Sequence, residues 1–200
     1  MRTTLNIMLA AALLFASCAG CASTAPDFGG VVAVRAKLAY GSGVVVDHTV
    51  TGYTVATAAH VVKADRYPLI DEHLGGTILV DRLHDLALVL VPDHGQGYRV
   101  REMAPAVQGE PVSALGWTYH RNDCARLIYR GHIVTTRWPY MAGTSASDAG
   151  SFPGMSGGPV VNARGQVVGI IRGCHRLGAF VVFDSTGVFT PARFVRALME

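Results

Sequence analysis

From residue 31 onward the chain alternates short apolar blocks with turn-forming residues. Blocks rich in valine and aromatic residues suit pleated strands, and the glycine, proline, asparagine and aspartate between them suit tight turns. The pattern predicts strands over 31–38, 43–46, 53–58, 77–80 and 86–91, then a loop-like stretch after Pro92. Further strands are predicted over 112–115, 125–134, 159–161, 166–171, 180–183 and 187–190. Thr51-Gly52 and Asn162-Ala163-Arg164-Gly165 read as hairpin turns. Pro191 opens a predicted helix in which Phe194, Val195 and Leu198 form one apolar stripe. The strands fall into two groups with a break near 92–110. That fits two packed barrels and equally one larger sandwich. The class is all-β either way.

The first residues follow a different rule. Arg2 precedes an apolar stretch over 5–16, interrupted by Asn6, and then Ala16-Ser17-Cys18-Ala19-Gly20-Cys21. A charged start, a short apolar run and small residues make a secretory leader. The run is too short to cross a bilayer as a helix, which needs roughly 20 residues. Two versions remain open. The leader is simply cleaved, or it is a lipoprotein leader whose cysteine receives the lipid. Ala19-Gly20-Cys21 resembles the end of a lipobox, although Cys18 stands where leucine is usual. Using Cys18 instead places Phe15 there. The chain therefore divides into leader and tether over 1–25 and one domain over 26–200, exported to the bacterial periplasm or envelope.

Composition narrows the picture further. Two hundred residues, half of them hydrophobic, make one compact domain rather than two. Charged residues are 16% and the net charge is +3, with no Lys/Arg run to hold nucleic acid or an acidic bilayer. Membrane contact is expected only through a lipid at Cys21 or Cys18. Export makes Cys124 and Cys174 candidates for a disulfide, with two separate thiols as the alternative. The eight histidines do not fall at zinc-ligand spacings with cysteines or carboxylates, so no metal is expected.

Three segments carry chemistry. In Phe152-Pro153-Gly154-Met155-Ser156-Gly157-Gly158-Pro159-Val160, glycines and prolines surround one serine. A nucleophilic serine needs a tight turn to expose its hydroxyl, and backbone N–H groups nearby for the oxyanion. Thr57-Ala58-Ala59-His60 places a histidine after small residues at a strand end, where its ring stays reachable as a general base. His84-Asp85-Leu86-Ala87-Leu88-Val89 sets an aspartate at the head of an apolar strand, positioned to orient an imidazole. Asp81 competes for that role but reads as a turn acid.

Together these segments resemble the histidine, aspartate and serine motifs of the trypsin-like serine protease family, in the family's order. Gly41-Ser42-Gly43-Val44-Val45 resembles the strand before the histidine motif in bacterial HtrA-type members. Gly187-Val188-Phe189-Thr190-Pro191 and the following helix resemble the family's closing segment. The resemblance implies two six-stranded antiparallel β-barrels packed face to face, with a short C-terminal helix. It implies a triad of His60, Asp85 and Ser156, and an oxyanion hole from the backbone N–H groups of Gly154 and Ser156. It implies acyl transfer without a cofactor. The expected function is a serine endopeptidase acting on proteins or peptides, as a monomer.

Departures from the family pattern refine these expectations. Met155 stands where digestive members have the aspartate that pairs with a newly cut N-terminus, so activation of that kind is not expected. Gly150 matches the base of the primary pocket, where an acid selects Lys or Arg. Glycine argues against that preference, although Asp148 lies two residues away. Ser151, Arg172, Gly173, Cys174 and Gly187 are the expected pocket residues, and a Cys124–Cys174 bridge would brace the rim. HtrA-type members usually continue into a peptide-binding domain, which this chain is expected to lack.

Three other functions compete. One is a catalytically silent binding protein on the same fold. Another is an envelope lipoprotein with a structural role. The third is an esterase, since Gly154-Met155-Ser156-Gly157-Gly158 fits a nucleophile elbow. That elbow leads into a helix, whereas here Pro159-Val160-Val161 and a hairpin turn follow, and the histidine comes first in the chain.

Overall fold

The computed structural model describes residues 27–63, 65–120, 123–137, 143–174 and 186–200. The leader, Cys18, Cys21 and the strand expected over 180–183 lie outside the described residues. Among those described, the architecture is all-β with two lobes. The N-terminal lobe comprises β1 (Val31–Ala36), β2 (Ala39–Thr49), β3 (Gly52–Ala58), α1 (Ala59–Val62), β4 (Leu69–Ile70), β5 (His73–Leu74), β6 (Gly76–Asp81) and β7 (Leu86–Val91). The C-terminal lobe comprises β8 (Pro111–His120), β9 (Asp123–Thr135), β10 (Ser145–Ser147), β11 (Pro159–Asn162), β12 (Val167–Cys174) and β13 (Gly187–Pro191), followed by α2 (Ala192–Met199).

The C-terminal lobe is a closed barrel in the order β10-β13-β12-β11-β8-β9. The N-terminal lobe is a seven-stranded sheet in the order β5-β4-β1-β2-β3-β7-β6, not a closed six-stranded ladder. The extra strands come from a tight hairpin whose tip, Asp71-Glu72, has φ of 44° and 69°. Such positive φ at both tip residues matches strand twist but is unfavourable for residues with a Cβ. Side-chain contacts hold it. Asp71 Oδ1 accepts from Ala33 N at 2.7 Å, and Glu72 pairs with Arg35 at 2.6 Å. Gly75 N and Thr77 N donate to Pro68 O and Arg66 O (2.8 and 2.9 Å), which curls the sheet toward closure.

Strands with both faces buried explain why the apolar blocks do not alternate with polar residues. On β1, Val32 and Val34 enter the N-terminal lobe's core, while Val31 enters a second cluster between the lobes. On β7, Ala87, Val89 and Val91 take the first side, and Leu86 and Leu88 the second. On β11, Val161 faces the shared cluster and Val160 the barrel interior. The period of two is intact, but neither face is wet. The shared cluster, completed by Leu115, Ile170 and Val195 of α2, glues the lobes together.

Candidate active site

His60 sits in α1, directly after β3, on small buried neighbours Ala58 and Ala59. Its backbone N donates to Asp85 Oδ1 at 2.9 Å, and its Nδ1 lies 2.7 Å from Asp85 Oδ2. Ala59 N donates to Asp85 O at 3.1 Å. One aspartate thus clasps both the ring and the start of the helix. Asp85 reaches this position with φ of 55°, a left-handed conformation that aspartate tolerates better than most residues. The ring of His60 remains open to solvent, while the Asp85 carboxylate is mostly covered.

The turn carrying Asp85 is braced from two sides. Asp81 Oδ1 accepts from Leu83 N and His84 N, and Asp81 Oδ2 meets His84 Nδ1 at 2.5 Å. Burial raises the Asp81 carboxyl, but the hydrogen bonds and charge of His84 outweigh it and hold it below its ordinary value. Asp81 is therefore the turn acid, and its histidine is His84, not His60. The His84 ring stacks on Phe194 of α2 at 3.8 Å, and Thr190 Oγ1 donates to His84 O at 2.7 Å.

Ser156 opens the second of two consecutive tight turns that share Met155. Met155 N donates to Phe152 O at 3.0 Å, with Pro153 second and Gly154 third at φ 97°. Proline followed by a positive-φ glycine is the type II turn. In that turn the central carbonyl and the next N–H point to opposite sides. Thr118 Oγ1 donates to Pro153 O at 3.2 Å, so the Gly154 N–H faces away from Thr118. Gly158 N then donates to Met155 O at 2.9 Å around Ser156-Gly157, with Gly157 at φ 89°. A Cβ on Gly157 would stand 2.1 Å from Ser42 O and 2.2 Å from Thr57 Oγ1, so only glycine fits. Among the described residues, no backbone or side-chain acceptor takes the N–H of Gly154 or of Ser156.

Ser42 is the residue that joins this loop to the N-terminal lobe. Its N donates to Ser156 O (2.7 Å) and its Oγ to Gly154 O (2.8 Å), while Trp117 N donates to the same Oγ (2.8 Å). It is fully buried. The sequence marked Ser42 only as part of a resemblance, because a supporting hydroxyl has no signature of its own. The structure brings His60 and Asp85 together and sets Gly157 against Thr57 and Ala58. No hydrogen bond joins Ser156 Oγ to His60 among the described residues.

The expected pocket residues are partly assembled. A Cβ on Gly187 would stand 2.9 Å from Gly150 O, so these two backbones meet closely. Asp148 does not turn inward: it is exposed, and its Oδ1 accepts from His132 N on β9. Ser151 is half-buried beside Gly150, and Gly173 leaves open space where a side chain would stand. Arg172 directs its guanidinium to Asp85 (Nε to Oδ2, 3.5 Å), so only its backbone is left to serve a pocket wall. The side chains of Cys124 and Cys174 lie outside the described residues, and so does the bridge expected between them. Among the described residues there is no cluster of three or more His, Cys, Asp or Glu side chains suited to a metal ion.

The model of the trypsin-like peptidase domain matches residues 41–170, well over half of the chain. The chain belongs to the trypsin-like peptidase family. The serine endoprotease from Yersinia pestis superposes with a TM-score of 0.68 at 22% identity, over 87% of this chain and 62% of that one. The present chain therefore spans less than two thirds of that protein. The MamO protease domain from Magnetospirillum magneticum (apo form) gives 0.67 at 23% identity, over 84% of this chain and 95% of that one. At these identities the likeness is one of fold. No curated protein sequence matches this chain.

Within this trypsin-like domain Met155 is fully buried, in the barrel cluster with Val160, Ile171 and Phe189. A thioether there forms no ion pair, so the serine loop is shaped by packing. Varying the residue at which the protein begins, between 22 and 26, is expected to leave any fluorophosphonate labelling unchanged. A rate that tracked the identity of that residue would show that activation depends on it.

Proposed function

We propose that the protein is a serine endopeptidase of the cell envelope, exported by its leader and possessing a triad of His60, Asp85 and Ser156. The observation that carries this reading is the double clasp of Asp85 on His60, beside a serine loop whose Gly154 and Ser156 N–H groups are unclaimed among the described residues. Ser156 Oγ attacks the scissile carbonyl and passes its proton to His60 Nε2. His60 Nδ1–H donates to Asp85 Oδ2, which keeps the ring in the tautomer with Nε2 free to accept. The oxyanion is received by Gly154 N–H and Ser156 N–H. Collapse expels the amine, which takes the proton from His60, and a water then repeats the sequence to free Ser156.

The substrate is a polypeptide. With Gly150 at the pocket base and Asp148 facing out, uncharged residues are preferred over Lys or Arg before the cut. A shallow cleft open to solvent adjoins Gly154, lined among others by Tyr40, Gly41, Trp117 and Thr118, and is the place proposed for the leaving segment. A lipid at Cys21 or Cys18 would hold the domain at a membrane.

A second reading, a catalytically silent binding protein, is favoured by the open Ser156–His60 contact. A fluorophosphonate probe separates the two. Wild-type protein is expected to be labelled and Ser156→Ala is not. Folded wild type that resists the probe would replace the peptidase reading with the binding one.

A further inference from the structure

Strand β12 loses register with β13 between Ile171 and Gly173: Ile171 faces Phe189 and Gly173 faces Val188, so Arg172 has no partner in the ladder. Bulges of this kind occur beside active sites and re-aim a side chain. Here the re-aimed side chain is that of Arg172, four-fifths covered, whose Nε stands 3.5 Å from Asp85 Oδ2. That is the same oxygen that receives His60 Nδ1. Its NH1 is buried without a hydrogen-bond partner among the described residues. At 3.5 Å the contact is a charge contact rather than a hydrogen bond. A buried donor left unmet carries a cost, and the charge contact with the Asp85 carboxylate offsets it.

We propose that Arg172 is a positioning residue that shares the Asp85 carboxylate with His60 and so sets how strongly Asp85 favours a protonated imidazole. This rests on the peptidase reading for its consequence, but not for its physics. A fixed cation beside the carboxylate leaves less of its field for a charged His60 ring. Removing that cation therefore gives the carboxylate a stronger hold on a charged ring. The other charged side chains on the elements around Asp85 are engaged elsewhere or turned to solvent: Arg82 of the β6–β7 turn is exposed, and Arg196 of α2 donates to Met103 O. Lys63 follows His60 at the end of α1. Asp81 and His84 bind each other on the β6–β7 turn. Arg193 of α2 lies over Phe194. Strands β3 and β13 contribute no charge. Among the described residues, Arg172 and the His60 ring are the basic side chains within ion-pair distance of Asp85.

The test is a titration of the His60 ring signals by NMR, in protein processed from the full-length chain and labelled with ¹⁵N-histidine, the signals being identified by their loss in H60Q. In R172Q the midpoint is expected to move up by about 0.5–1 pH unit. R172K, which keeps the charge on a shorter and differently shaped head, is expected to move it less and in the same direction. An unchanged or lowered midpoint in folded R172Q overturns the proposal. If R172Q does not fold, R172M, which keeps the stem and removes the charge, takes its place, and an unchanged or lowered midpoint in it overturns the proposal equally. Fluorophosphonate labelling of the same samples reads the consequence. The acid limb of the R172Q rate profile moves to higher pH with the ring midpoint, and the alkaline plateau rises a few-fold. A plateau that falls over an unmoved limb would mark Arg172 as packing only. A midpoint that moves up in R172Q, in a protein whose wild type never labels, would retire the peptidase reading and leave the Arg172–Asp85–His60 coupling standing.

Discussion

Asp85→Asn is expected to lower the rate of fluorophosphonate labelling about 10⁴-fold while the protein stays folded. Asparagine tolerates the left-handed φ of this position, so the turn survives. Its Oδ1 can still accept from His60 N, so the start of α1 survives too. What changes is the atom facing His60 Nδ1. An amide NH₂ there is a donor, and the ring must turn Nδ1 into an acceptor and carry its proton on Nε2. A protonated Nε2 cannot take the serine proton. Asp81→Asn is the matching control. It weakens the bonds to Leu83, His84 N and the His84 ring, so it loosens the turn, but it leaves the Asp85–His60 contact in place and slows labelling far less. Comparable losses in the two variants would mean that Asp85 acts through the turn and not on the ring. Labelling of D85N near the wild-type rate would remove Asp85 from the mechanism.

His60, Asp85 and the serine loop were legible in the sequence because each combines a reactive side chain with a local backbone requirement. Small residues precede His60, an apolar strand follows Asp85, and glycines and prolines enclose Ser156. Asp81 read as a turn acid because it closes a strand, and its bond to His84 emerged only in the structure. The parts that were not legible depend on contacts between distant segments. Ser42 meets Gly154, Ser156 and Trp117 only after both lobes have formed. The aim of Arg172 depends on a register shift, and a strand pattern carries no mark of which residue will be left unpaired. Thus Arg172 reads as a pocket wall in sequence and as a neighbour of Asp85 in space. Strands β4, β5 and β10 are two or three residues long, below the length at which alternation can be detected. The hairpin of β4 and β5 also lacks the glycine or asparagine that its turn normally announces. Its tip is held instead by Ala33 and Arg35, 38 and 37 residues away.

Arg101 is the clearest case of a structural role without a sequence signal, and it carries the second large prediction. It is 3% exposed, in the segment between the lobes. Its Nε donates to Gly29 O (2.7 Å), one terminal nitrogen to Gly165 O (3.0 Å) and the other to Asp27 O, while its own N donates to Val45 O (2.9 Å). One side chain thereby ties the start of the domain and the β11–β12 turn to the linker. Burial lowers the guanidinium's affinity for its proton, partly offset by Asp27. Asp27 in turn is held below the ordinary carboxylate range, first by the Gly29 N–H, with burial opposing, and then by Arg101 and Arg99. A carboxylate depressed in the folded state stabilises the fold above its unfolded value and loses that contribution as pH falls through its folded value. The clasp therefore weakens in acid. Arg101→Met keeps the stem but leaves three carbonyls without their donor, and is expected to cost about 3–5 kcal/mol. For a domain of this size that lowers the melting temperature by roughly 10–15 °C. R101K cannot reach three carbonyls from one nitrogen and is expected to recover only a minor part. The loss should appear as stability and not as rate. Ser42 bridges the lobes directly at the serine loop, so R101M labelled well below its melting temperature is expected to react at the wild-type rate per folded molecule. A melting temperature within a degree or two of wild type would show that the clasp adds nothing net, and a slowed rate in folded R101M would show that the alignment of His60 with Ser156 depends on the linker as well as on Ser42.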